Sequence, residues 1–251
     1  MRKLLLSTTL LACSHAFAGT LSIVADEWYP MNGTPNAKKP GYMIELAETI
    51  FSAHNIDVTY TLMPWERAVK ETRLGKHNCV VGAYKVDTPD FVFPKQHWGI
   101  DSPQFFVKEG ETWQYTGEIS SLKNRKLGLI SGYSYSDKID QYAASQKGSR
   151  IQFARGDNAL AKNINKLIYG RIDTLIESIN VFHAKINSMQ VTQPFIAAGN
   201  ATPPVEMYIA CSPNLPSSKK YMDIVDTETI KLKRNGQLKT ILDRYGIDEW
   251  K

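Results

Sequence analysis

The chain has 251 residues and a formal charge of +5, with 5 Trp, 12 Tyr and no low-complexity run, the balance of an ordinary globular protein. That length allows two modest lobes. So small a charge, without a Lys/Arg cluster, argues against a nucleic-acid partner.

Residues 1–18 read as a cleaved secretory signal peptide. Arg2 and Lys3 give a charged start, Leu4 to Ala12 an apolar core, and Ala16-Phe17-Ala18 a small-x-small cleavage site. Processing as a lipoprotein at Cys13, after Leu10-Leu11-Ala12, is the alternative to cleavage after Ala18. The apolar run is too short for a mature membrane anchor, and no later stretch is longer. Loss of Arg2 and Lys3 takes the formal charge from +5 to +3 (5 minus 2). Cleavage leaves Cys79 and Cys211 in an oxidising compartment, either bonded or packed as two separate buried thiols.

In chain order, 20–25 is a β-rich strand, and Asp26-Glu27-Trp28-Tyr29-Pro30 follows it into a loop marked by Asn32-Gly33 and Pro35. Ile44, Ala47, Ile50 and Phe51 form the apolar stripe of a helix over 43–54. A strand at 58–62 precedes Pro64, which suits a first helical turn. Trp65, Ala68, Val69 and Thr72 then keep helical spacing up to the stop at Gly75, and 79–84 reads as a buried strand. This strand–helix–strand unit implies parallel strands and a right-handed crossover. Trp65, Glu66 and Arg67 sit at its carboxyl edge, where helix N–H groups are free. The stretch 87–94, with two prolines, is not helical.

Further strands are expected at 104–108, 126–130, 151–154, 172–176 and 205–210. Helices are expected at 135–144, at 158–169 with Asp157 as cap, and at 180–186, followed by a long helix at 217–233 and a short one at 238–245. The second series repeats the first in outline, so the fold class is α/β with two lobes, each a mainly parallel sheet flanked by helices. The last two helices have no strand between them and can return to the first lobe.

Taken in order and spacing, these stretches resemble the periplasmic solute-binding proteins of family 3, the polar-amino-acid type. Asp26 to Pro30, Gly41-Tyr42-Met43-Ile44-Glu45-Leu46, Pro64-Trp65-Glu66-Arg67-Ala68, Gly75 and Val81-Gly82-Ala83-Tyr84 carry the resemblance in the first lobe. Gly128 to Tyr133, Gly170-Arg171-Ile172-Asp173, Asn235-Gly236 and 241–246 carry it in the rest. The resemblance implies lobe 1 from 19–103 plus 212–251 and lobe 2 from 104–211. Hinge strands would lie near 104–108 and 205–211, with a ligand in the cleft and closure by hinge motion. It places 205–210 antiparallel beside 80–84, with Cys211 near Cys79 in a possible disulfide remote from the cleft. It also implies a small polar solute as ligand, an ABC permease or a receptor in the inner membrane as partner, a monomer, and a periplasmic location.

The family's arginine after the third strand, which grips an α-carboxylate, is missing here, where the chain reads Lys85-Val86-Asp87-Thr88-Pro89-Asp90. Arg67 or Lys85 are the candidate substitutes, Lys as a point charge rather than a fork. The family's ammonium-binding acid falls on Glu177. Asp26, Trp28, Tyr42, Trp65 and Tyr84 are the other first-lobe candidates, and Ser131, Tyr133 and Ser134 those of the second lobe. Trp65 either plugs the core or lines the cleft, and Tyr42 either stacks on ligand or caps the core. No histidine has metal-ligand spacing, and no cofactor motif is present. Nor is there a nucleophile elbow or a catalytic triad order. Binding without chemistry is therefore the reading taken. A ligand sensor for a receptor or kinase is the alternative, and a dehydratase using Glu66 and Glu177 a lesser one.

Overall fold

The computed structural model describes residues 19–146, 148, 150–156 and 158–250. The signal peptide at 1–18, the lipoprotein alternative at Cys13 and the cap assigned to Asp157 lie outside the described residues.

The first half runs β1 (Gly19–Ala25), α1 (Tyr42–Ser52), β2 (Ile56–Leu62), α2 (Trp65–Arg73) and β3 (Cys79–Ala83). A short β4 (Ile100–Asp101) leads into β5 (Pro103–Lys108), then a 3-10 turn at Ile119–Leu122. Next come β6 (Leu127–Ile130), α3 (Asp137–Ser145), β7 (Ile151–Ala154), α4 (Ala159–Ile168), β8 (Thr174–Ser178), α5 (Ile179–Ser188) and β9 (Phe195–Asn200). The chain closes with β10 (Val205–Glu206), β11 (Tyr208–Cys211), α6 (Ser218–Arg234) and α7 (Gln237–Asp243).

Two sheets organise these elements. Lobe 1 has the order β11-β3-β1-β2, with β1 parallel to both β2 and β3 and β11 antiparallel on β3. Lobe 2 has the order β7-β6-β8-β5-β9, with β6 parallel to β7 and β8 and β5 antiparallel to β8 and β9. The fold is therefore a mixed α/β arrangement of two lobes, as the pattern of elements implied. Central strands are continuous apolar or buried runs, as strands covered on both faces must be: every residue of β6 and β8 is buried. Helices α6 and α7 return to lobe 1 and pack on α1. There Tyr42 meets the rings of Tyr245 and Trp250.

The crossing between lobes is a two-stranded ribbon, β4 antiparallel to β10. Of the stretches expected near the hinge, 104–108 lies in β5 of the lobe 2 sheet, 205–206 lies in this ribbon, and 208–211 joins the lobe 1 sheet as β11. Strand β9 had no sequence signal because Ala197, Ala198 and Gly199 dilute its β-branched and aromatic content. At the far end of β3, Cys79 lies opposite Cys211 and the two sulfurs are bonded.

Candidate functional site: an acidic cleft between the lobes

Strands β1, β2 and β3 end together, and the chain leaves β1 directly into Asp26 and the loop holding Trp28 and Asn32. Strand β8 of lobe 2 ends at the same cleft with Glu177 and Ser178, and β6 leads into the turn that carries Tyr133 and Ser134. Carboxyl ends of strands are where α/β folds place ligand groups. Between them lies a cavity of about 880 Å³ walled by Asp26, Trp28, Asn32, Trp65, Gly82, Tyr84, Asp87, Asp101, Tyr115, Tyr133, Ser134, Tyr135 and Glu177. That volume is in the usual range for an organic small molecule.

The lobes are drawn together by bonds made across this cavity. Trp28 Nε1 donates to Glu177 Oε1 at 2.9 Å. The Tyr133 hydroxyl donates to Asp26. Outside the cavity Lys185 on α5 pairs with Glu27 at 2.8 Å. Glycines fit both the lobe contact and the cleft wall. A Cβ on Gly132 (φ +85) would lie 2.8 Å from Glu66 Cβ of the opposite lobe, and within lobe 1 one on Gly82 (φ +78) would lie 3.2 Å from the Trp28 ring. Both positions also have a backbone that favours glycine.

Five carboxyls line the cavity; Asp137 is exposed at its rim, and burial dominates the chemistry of the other four. Glu177 is 4% exposed. Burial pushes its pKa up to about 8, aided by Asp101 and Asp26 and opposed by the bonds from Trp28 and its neighbour's N–H. Burial lifts Asp87 to about 7, with Asp140 adding to it. Asp26 stands at about 6, again through burial, with the Tyr133 hydroxyl holding it down. Burial also raises Asp101, which accepts a bond from the Tyr84 hydroxyl at 2.6 Å. Removing ionised carboxyls from water without a counter-charge favours the neutral form.

Seven of the expected residues wall the cavity: Asp26, Trp28, Trp65, Tyr84, Tyr133, Ser134 and Glu177. Trp65 does both things asked of it, since one side packs in a cluster with Val24, Ala68, Val80 and Phe91. Four others stand elsewhere. Tyr42 is fully buried among core residues under the last helix. Arg67 is exposed on the outside of α2 and pairs with Glu71 at 2.9 Å. Lys85 lies over the Tyr208 ring, 4.5 Å from its centroid. Ser131 is not among the cavity-lining residues, its N–H being spent on Ala154. Asn32, Asp87, Asp101 and Tyr115 were not singled out from the sequence. Asp101 sits on a two-residue strand, too short for any periodicity to show. Among the described residues no group of His, Cys, Asp or Glu is arranged to hold a metal ion.

This architecture, two α/β lobes on a crossing ribbon with a cleft between them, is the fold of the periplasmic binding proteins. No protein-family model matches the chain, and no curated protein matches it in sequence. Solved structures do match in shape. An ancestral arginine-binding protein bound to arginine superposes with a TM-score of 0.74 at 17% identity, over 90% of this chain and 98% of that one. A Streptococcus pneumoniae amino acid ABC transporter substrate-binding protein bound to L-arginine gives 0.70 at 18% identity, over 92% and 97%. A histidine kinase sensor domain with similarity to periplasmic binding proteins gives 0.71 at 17% identity, over 90% and 95%. At such identities the likeness is one of fold.

Proposed function

We propose that the protein is an extracytoplasmic binding protein that captures a small polar solute between its lobes and presents it to an ABC importer. The observation that carries this reading is the pair of bonds Trp28–Glu177 and Tyr133–Asp26, which join opposite lobes at the walls of one cavity. Such bonds form only when the lobes close, so closure and the shaping of the site are one event. No step needs a bond made or broken in the solute. The sequence of residues 1–18 supports export, and the described residues hold no helix long and apolar enough to cross a membrane.

A second reading has a specific support: a sensor domain of a histidine kinase shares the fold. A free-standing chain of this kind would report the solute to a receptor instead of a permease. The cleft would act identically and only the membrane partner would differ.

The test is ligand-induced closure. Small-angle scattering and thermal unfolding of the mature chain are measured across a panel of amino acids, amines and small organic acids. A solute that both raises Tm and reduces the radius of gyration is the expected result. A panel in which every Tm gain leaves the radius unchanged would overturn capture by closure.

A further inference from the structure

Resting on the capture reading above, we propose that the solute is a small organic cation carrying amine or guanidinium groups and no carboxylate, such as a diamine or an alkylguanidine, rather than an α-amino acid. The first ground is the charge of the walls. Asp26, Asp87, Asp101 and Glu177 line the interior, whereas the Lys138 that lines the cavity stands exposed on the first turn of α3 beside Asp137. The two rim charges cancel, and the interior is left with carboxyls alone.

The second ground is what those walls lack. The buried Glu177 Oε2 and Asn32 Oδ1 have no hydrogen-bond partner, although both residues line the cavity and are almost wholly buried. Asn32 Oδ1 is an acceptor, and Glu177 Oε2 becomes one in the ionised form that a cation selects. A buried acceptor left unmet costs about 1–3 kcal/mol, so the guest that fits must bring N–H donors. Aromatic faces at Trp28, Trp65, Tyr84 and Tyr133 suit a cation once water is gone.

The third ground is the fate of the groups that could hold a carboxylate. In lobe 2 the turn after β6 is already filled from within. Asp140 accepts from Ser134 Oγ at 2.8 Å and from the Tyr135 N–H at 3.1 Å. At the start of α5 the Ser178 N–H donates at 2.9 Å to Glu177 Oε1 of its own chain neighbour. In lobe 1, Arg67 and Lys85 are engaged away from the cavity. An α-carboxylate entering the cleft would meet acceptors of its own sign and no fork of donors. A bare metal ion fits poorly as well, because no metal-ligating cluster exists among the described residues and the cavity is far too large.

The decisive experiment pairs each amino acid with its decarboxylated partner. Agmatine against L-arginine and cadaverine against L-lysine are titrated calorimetrically into the mature chain, with glutarate as the anion and putrescine as a short diamine. At least one amine is expected to bind ten times or more tighter than its amino acid, with a smaller radius of gyration when bound. Glu177→Gln is expected to weaken that amine at least tenfold. Asp26→Asn serves as a second variant should the first unfold. Equal or tighter binding of the amino acid, or binding of glutarate, overturns the cation proposal while leaving capture standing if the radius shrinks. Absence of binding by every probe overturns the cation proposal too, while the wider panel described above decides capture by itself.

Discussion

Glu177 gives the sharpest prediction, because its carboxyl is raised from 4.5 to about 8 by burial without a counter-charge. A carboxyl whose folded pKa lies above its unfolded one contributes its full stability only below the unfolded value. That contribution is lost as pH rises through the folded value. Between about pH 5.5 and pH 8 this one carboxyl should therefore cost the empty protein close to one proton's worth of stability, about 1.4 kcal/mol per pH unit or about 3 kcal/mol from Glu177 alone. Glu177→Gln removes the titration while retaining an amide oxygen for Trp28. For a chain of this size about 3 kcal/mol corresponds to roughly 6–12 °C in Tm. Thermal unfolding followed by circular dichroism should show the parent falling by that amount more than the variant from mildly acid to alkaline pH, the variant keeping the part of the fall that Asp26 and Asp87 contribute. Part of the strain can be relieved by parting the lobes, since Trp28 belongs to the opposite one. The radius of gyration is measured on the same samples for that reason. Parent and variant with the same pH profile in both Tm and radius would refute the argument.

Other outcomes follow from the same geometry. Ligand affinity for an amine should rise with pH between about 6 and about 8 and then level off, because a cation binds the ionised form of Asp26 and Glu177, whose raised values are about 6 and about 8. Calorimetry in buffers of different ionisation enthalpy should show protons released on binding. Tyr133→Phe removes the hydroxyl that donates to Asp26 across the cleft. Closure should weaken by about 1.5–3 kcal/mol, the worth of a bond to a charged group, visible as a larger radius in the absence of ligand. Gly132→Ala adds a Cβ 2.8 Å from Glu66 Cβ at a φ of +85, so the lobes must stay apart and affinity should fall while circular dichroism is unchanged. Arg67→Ala should leave ligand affinity the same within about twofold, since the guanidinium is exposed and pairs only with Glu71.

Much of this was legible in the chain because the two periods of secondary structure are strong here. Strands such as 20–25 and the apolar stripe of Ile44, Ala47 and Ile50 read directly, and the helices fall within two residues or so of their expected ends. Short elements did not show. Strand β4 has two residues and β9 is half exposed, so no window there contains a pattern, while β10 falls inside the strand expected at 205–210. In the cleft, residues that directly end a strand were found: Asp26 after β1, Glu177 in β8. Expected residues stand away from the cleft where geometry within an element decides. Trp65 and Arg67 are two positions apart on a helix, about 200° around its axis, so both cannot face one cavity. Tyr42 begins α1 on its buried face, beneath the aromatic rings of Tyr245 and Trp250. Lys85 was drawn to a ring of the neighbouring strand, a partner 123 residues later that no local pattern reveals (208 minus 85). Asn32 and Asp101 reach the cleft through a loop and the crossing ribbon, where propensity is silent.

The bond between Cys79 and Cys211 spans 132 residues, and both its ends lie in lobe 1. All of lobe 2 is thus an appendage threaded on a covalent ring that lobe 1 clasps at its base. A protease that nicks an exposed turn of that appendage, such as 109–111, leaves a two-piece chain still joined as one molecule until a reductant arrives. Damage to the moving half is in this way kept from becoming loss of the half.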